Sequence, residues 1–391
     1  MKKTWILALV LALSIIFTGC TTDEVRLYNA LMKSQDITSM KSDVDITFSL
    51  DSEGFSKEVQ PMIEEIAKVL SNSEVSIHQK MTQNEERTAA RAQMNTDLNF
   101  DGTKMDMKVW VDTDMSEDIP KMIEVIKMPQ NLMKEISPED QEKEYIVYDI
   151  VDMATLDQEE IDFNELMDFS KEMQPKIMKF IKDYHKNFDP GFKIASYKGK
   201  KTVKGRPLSI YEVKLDDESF KELIRYMIND AMDNEGSIKF LEEYMRLVMN
   251  FAQIPEAEKE SVKKEMNQGI EKLKSNLPEL KKQFNKFMDD FKDVKVLGEK
   301  GIIIEYGVNK AGFVVHKSGS LDLNIDLKAM AEAIGNGISS QNLGVLKLGI
   351  NYNTKISNIN EDMKINMPNV NEKNALYFKD IMGQEENVII E

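Results

Sequence analysis

Apolar and polar residues alternate along several stretches of this chain. Val44, Ile46, Phe48 and Leu50 alternate with Asp43, Asp45, Thr47 and Ser49, the two-residue period of a strand with one face in a core and one in water. The period recurs at Val75, Ile77 and Met81, at Met94, Leu98 and Phe100, and at Met105, Met107, Val109 and Val111. Asp101-Gly102, between the last two runs, is a hairpin signal. Further strands are predicted over 145–150, 192–197 and 208–215. Three long ones follow over 294–306, 313–327 and 345–356, with 309–312 as the turn between the first two. A short final strand is predicted over 363–367, stopping at Pro368. Such clean alternation marks antiparallel pairing, because buried parallel strands read as continuous apolar runs.

Between the strands the period changes to that of a helix. Residues 21–35 read as a short tether running into a helical turn or two, and 55–70 as a helix. Residues 116–134 read as a helix pair interrupted by Pro120 and Pro129. Leu166, Phe169, Met173, Ile177, Phe180 and Tyr184 recur at three- and four-residue steps over 161–184, with a bend expected at Pro175. Helices over 216–231 and 237–252 follow. The last block, 256–291, carries a heptad-like stripe from Met266 to Phe291, expected to split at Pro278.

No linker rich in Pro, Gly or Ser divides the chain. The predicted fold is therefore α+β: one large antiparallel sheet of about ten strands, curved into a half-barrel and covered by or wrapping the inserted helices. The boundaries that follow are a leader at 1–19, an anchor with the first helix at 20–40, one large domain at 41–380, and a tail at 381–391.

The N-terminus changes the picture. Lys2 and Lys3 precede an apolar run over 5–17, then Thr18 and Gly19, the layout of an export signal. The run is shorter than the roughly 20 residues that a membrane-spanning helix needs. Cys20 follows at once and is the chain's one cysteine. Phe17-Thr18-Gly19-Cys20 resembles the lipobox of bacterial lipoproteins, with Phe17 where leucine is usual. The resemblance implies cleavage before Cys20 and a diacylglycerol on its thiol. Acyl chains contribute about 0.8 kcal/mol per buried methylene, and two of them anchor durably. The expected location is the outer face of the cell membrane, with no disulfide available to stabilise the fold.

Charge and motifs exclude more than they assign. A net charge of −17 argues against nucleic acid, whose phosphates need Lys and Arg, and against broad docking on anionic lipid. It is read as a solubilising surface. His78, His185 and His316 lack metal-ligand spacing. No nucleophile elbow, phosphate loop or dinucleotide fingerprint is present. The alternate oxygens of 112–118 lack the glycine and the closing glutamate of a calcium loop. No enzymatic activity, metal or cofactor is expected.

Methionine is abundant, with 26 in the chain, and many fall on apolar faces. The thioether side chain adapts its shape, which suits a surface for variable ligands as well as a packed core. Candidate lining residues for an apolar cleft between sheet and helices are Met105, Met107, Val109, Met173, Ile177, Met245 and Met249.

A lipobox, the "LYNALMKSQDITSMKSDVDITFSL" stretch leading into a strand, a long meander and inserted helices together resemble the LolA and LppX type of bacterial lipocarrier. The closing "LGINYNTKISNINEDMKINMPNVNEKN" is similar to the end of uncharacterised lipoproteins of low-GC Gram-positive bacteria. The resemblance implies an incompletely closed sheet around helices, with acyl chains held between them, and transfers no individual residue. The helices over 216–291 exceed a minimal lipocarrier and could fill that space. The expected function is a membrane-anchored lipoprotein that binds a lipid-like or amphiphilic ligand. The alternative is an anchored scaffold with a packed core and a protein partner.

Overall fold

The computed structural model describes residues 21–116, 121–138, 140, 142–149, 163–203, 205–251, 256–334 and 343–379. The proposed leader, Cys20 and the tail after 379 lie outside them. Among the described residues, twelve strands form one open sheet in the order β12-β6-β5-β4-β3-β2-β1-β11-β10-β9-β8-β7, and eight helices accompany it. Every described element lies between Thr22 and Tyr377, so the chain from Thr21 onward carries all of them. The fold is α+β with a large curved sheet that does not close.

The strongest alternation builds the centre. β1 (Ser39–Glu53) pairs antiparallel with β2 (Glu74–Gln83) on one side and β11 (Val345–Ser357) on the other. β3 (Ala89–Phe100) and β4 (Thr103–Asp114) extend the first side. Asp101 and Gly102 join them with φ of +47° and +88°, the positive pair that a two-residue hairpin turn demands. β10 (Val314–Asp326), β9 (Leu297–Val308) and β8 (Arg206–Leu215) extend the second side.

Where both faces of a strand are covered, or neither is, the alternation fails and the structure departs from the expectation. Residues 121–127, expected in a helix, form β5 (Lys121–Lys127) between β4 and β6 (Tyr145–Asp149). Val125 is buried beside Trp110 and Val147 on one side, while Ile126 lies between Val109 and Ile146 in register on the other. Two apolar faces mimic a helical run. Among the described residues of this stretch the helical ones are in Gln130–Ile136, helix α3.

β7 spans Ala195–Val203 rather than 192–197. Its Lys-Gly-Lys-Lys run masks the period, and lysine on an edge strand blocks further pairing. Residues 363–367 form no strand. Ile365 is buried and Met367 packs against the Trp110 cluster, so this segment covers a sheet face instead of extending an edge. The final strand is β12 (Ala375–Tyr377), parallel to β6.

The first helix needs no tether. α1 (Thr22–Ser34) starts at a capping box in which Thr21 and Glu24 satisfy each other. α2 (Gln60–Ser71) follows β1, and α4 (Phe163–Asn187) contains Pro175. After β8 come α5 (Asp217–Asp233), α6 (Glu235–Phe251) and α7 (Glu256–Asp290), then α8 (Leu327–Ile334) after β10. The helix α7 runs through Pro278 without splitting. Its lost backbone bond is local, while Ile270, Phe284 and Met288 bury the helix on either side of it.

Candidate functional site

The registers place one continuous apolar row across nine strands. On β4, β3, β2 and β1 it comprises Met105, Leu98, Val75 and Ile46. It continues through Tyr352, Gly319 and Ile304 into Val213 and Ala195. A neighbouring row joins Phe48, Ile350, Leu321, Ile302 and Leu215. The face that carries these rows is called the inner face here.

The two ends of this face differ. At the β7–β9 end it is sealed: Val213 is 1% exposed, and Leu27 of α1, Tyr184 of α4, Phe188 just after α4 and Leu223 of α5 pack onto it. Toward β1–β4 and β10–β11, Ile46, Phe48, Val75, Leu98, Leu321 and Ile350 are only half-buried. Among the described residues α2 packs on β1 and α8 touches β10 and β11, while no helix packs extensively on β2, β3 or β4. An apolar face left half in water is a surface that another molecule can complete.

Of the seven candidate lining residues, three share this face. Met105 and Met107 are half-buried and Val109 is buried, all on β4. The other four lie on α4 and α6, which pack together through stacked Phe180 and Phe240, 4.5 Å apart. Met173 is buried, Met245 and Met249 are half-buried, and Ile177 is exposed. No extensive contact joins β4 to α4 or α6 among the described residues, so packing does not bring the two sets together.

One residue of the inner face escaped the sequence reading. Lys317 shares parity with Gly319, Leu321, Leu323 and Ile325 on β10, a lysine in an apolar register. Its Nζ lies 5.6 Å from the Tyr306 ring centroid and 5.5 Å from that of Tyr352, within cation–π range. Burial pushes its pKa down, and that of the Tyr352 hydroxyl up to about 12. A charged residue on the apolar parity of a strand was the available signal.

The outer face of the same strands is polar. His78 Nδ1 lies 2.7 Å from Asp43 and its Nε2 3.8 Å from Asp97. The hydrogen bond with Asp43, then the surrounding carboxylates, raise the His78 pKa. A raised folded-state pKa stabilises fully below the unfolded value of 6.5 and loses that contribution as pH rises through the folded value. Half-exposure screens the effect, so a small loss of stability is expected from pH 6.5 upward in the native chain and not in His78→Gln. Urea melts at several pH values will show it, and parallel profiles would refute it. Asp112, the first oxygen of the discarded calcium pattern, is paired with Arg91 at 3.0 Å and Lys121 at 2.7 Å. No group of three or more His, Cys, Asp or Glu among the described residues is arranged to hold a metal ion.

No protein-family model matches this chain. No curated protein matches it either. Among solved structures, a DUF1329 family protein from Desulfovibrio piger aligns over 88% of this chain and 95% of its own. Its identity is 9% and its TM-score 0.18, too low to carry an argument.

Proposed function

We propose that this chain is a lipoprotein, anchored on the extracytoplasmic side of a membrane by acyl chains on Cys20, that binds an apolar or amphiphilic molecule without transforming it. The observation that supports binding is the half-open inner face, sealed by helices at one end and continuous in register with half-buried apolar rows at the other. The lipobox-like residues before Cys20 support the anchor. α1 begins immediately after Thr21, so a lipid on Cys20 would hold the folded chain close against the bilayer, where such a ligand resides.

Size follows from the energetics. Each methylene taken out of water contributes about 0.8 kcal/mol, against an association cost of about 4–15 kcal/mol. A ligand lying along this face therefore needs a long alkyl chain, of about ten methylenes or more. Native mass spectrometry of the chain from Thr21 onward, which lacks the anchor site, tests the reading. The expected result is a bound lipid-class mass at about one per chain, lost in an Ile46→Asp, Ile350→Asp double variant that keeps its circular dichroism. A clean unliganded mass after gentle purification would overturn it.

A second reading, a scaffold with a protein partner, is favoured by one observation. Met62, Ile66 and Val69 form an exposed stripe on α2, being 57%, 52% and 38% exposed, at the spacing of a helix face made for contact. A clean unliganded mass would direct the search to that stripe.

A further inference from the structure

Among the described residues, two lysines on or beside the core are treated differently: Lys221 is buried and Lys317 half-buried. Lys221 is enclosed by its own chain: Nζ donates to Asp217 Oδ2 at 2.6 Å, to the Val294 carbonyl at 2.6 Å and to the Lys292 carbonyl at 3.0 Å. Lys317 makes no ion pair among the described residues, and its Nζ lies within reach of two aromatic ring faces. A half-buried ammonium against an apolar face, without an anion, is costlier than one in open water, and a leucine or methionine would fill the position more cheaply.

The position of Lys317 is informative. Directly across on β9 lies Tyr306, 2% exposed and part of the sealed core. On its other side lies β11, with Thr354 in register and Tyr352 one step along the same face. Further along β10 come Leu321, Leu323 and Ile325, all half-buried. Lys317 thus stands where the sealed core ends and the open apolar face begins. Gly319 shapes the place: a Cβ there would come within 2.8 Å of the Tyr352 ring and 2.6 Å of the Ile303 carbonyl oxygen. The missing side chain lets the Tyr352 ring lie against the backbone beside the ammonium.

We propose that Lys317 receives the headgroup of an anionic amphiphile, whose carboxylate or phosphate oxygens pair with Nζ between the Tyr306 and Tyr352 rings while its alkyl chain runs over Leu321, Ile350 and Phe48. The proposal rests on the binding reading above and narrows it to a ligand class. An anion supplies the charge that the site lacks, and the rings exclude water from the pair, where a charge-assisted hydrogen bond is strongest. A neutral lipid would leave the ammonium uncompensated, so the site discriminates by headgroup charge rather than chain shape.

Parinaric acid and its methyl ester share one fluorescent chain and differ in charge, so they test this directly on the chain from Thr21 onward. The expected result is that the acid binds at least about tenfold tighter than the ester. In Lys317→Met that advantage disappears, with ester binding unchanged as proof that the cleft is intact, and Lys317→Arg restores it. Equal acid affinity in Lys317→Met and the native chain would overturn the headgroup assignment while leaving the cleft standing. Failure of the native chain to bind either probe would overturn the cleft and the assignment with it. Competition by oleate against lysophosphatidate, with lysophosphatidylcholine as the control, tells a carboxylate source from a phosphate one.

Discussion

Replacing Glu24 with alanine is expected to lower the stability of the fold by about 3–5 kcal/mol. This carboxylate is 2% exposed and ties two elements together. Its Oε2 accepts from the Thr21 backbone N–H at 3.0 Å and the Thr21 hydroxyl at 2.5 Å, closing the cap of α1. Its Oε1 accepts from the backbone N–H groups of Ile194 at 2.6 Å and Ala195 at 3.2 Å, where β7 begins. Alanine strands those buried donors at about 1–3 kcal/mol each, and the lost capping contact adds about 1 kcal/mol. The contributions overlap because one side chain makes them all. Glu24→Gln keeps an acceptor for only one of the two sets and should cost roughly half as much. Urea denaturation will measure both, and a loss below about 1 kcal/mol for alanine would mean that Glu24 does not join the helix to the sheet.

Gly301→Ala is expected to cost about 3 kcal/mol or more. Gly301 has φ of +63°, and a Cβ there would sit 2.1 Å from the Leu215 carbonyl oxygen and 3.1 Å from the Asp216 Cα. The left-handed backbone alone costs an L-residue about 1–2 kcal/mol. The clash is with backbone, which no rotamer relieves, so β9 must move against β8 at about 1–3 kcal/mol more. Gly102→Ala provides the control, since its φ is +88° but nothing lies within 4 Å of the added carbon. Thermal melts of the two variants separate conformational cost from collision. Equal losses would show that the β8–β9 contact at Gly301 is looser than this geometry.

Strands with one face in water were legible because alternation records burial directly. β1, β4 and β11 lie where their apolar parity placed them, and the Asp101-Gly102 turn joins β3 to β4. β5 was hidden by apolar residues on both faces, and β7 by the lysines that protect a sheet edge. In each case the local pattern reported the environment rather than the backbone. The candidate site was legible to the same depth. Met105, Met107 and Val109 could be assigned to one face from spacing alone, because parity is local. That Met173, Ile177, Met245 and Met249 do not close onto them could not be, because it depends on where helices distant in sequence come to rest.

What the sequence by itself determined is therefore periodicity: which residues share a face, that the alternating strands pair antiparallel, with β12 the parallel exception the structure adds, and that the fold is α+β with one large sheet. Which half of the apolar face is sealed, and that Lys317 stands at its boundary between Tyr306 and Tyr352, were decided by the tertiary structure. The rows that meet there come from β9, β10 and β11, and α1, α4 and α5 cover them only toward the β7–β9 end. Burial at such a junction depends on contacts between residues far apart in the chain, which no local period encodes.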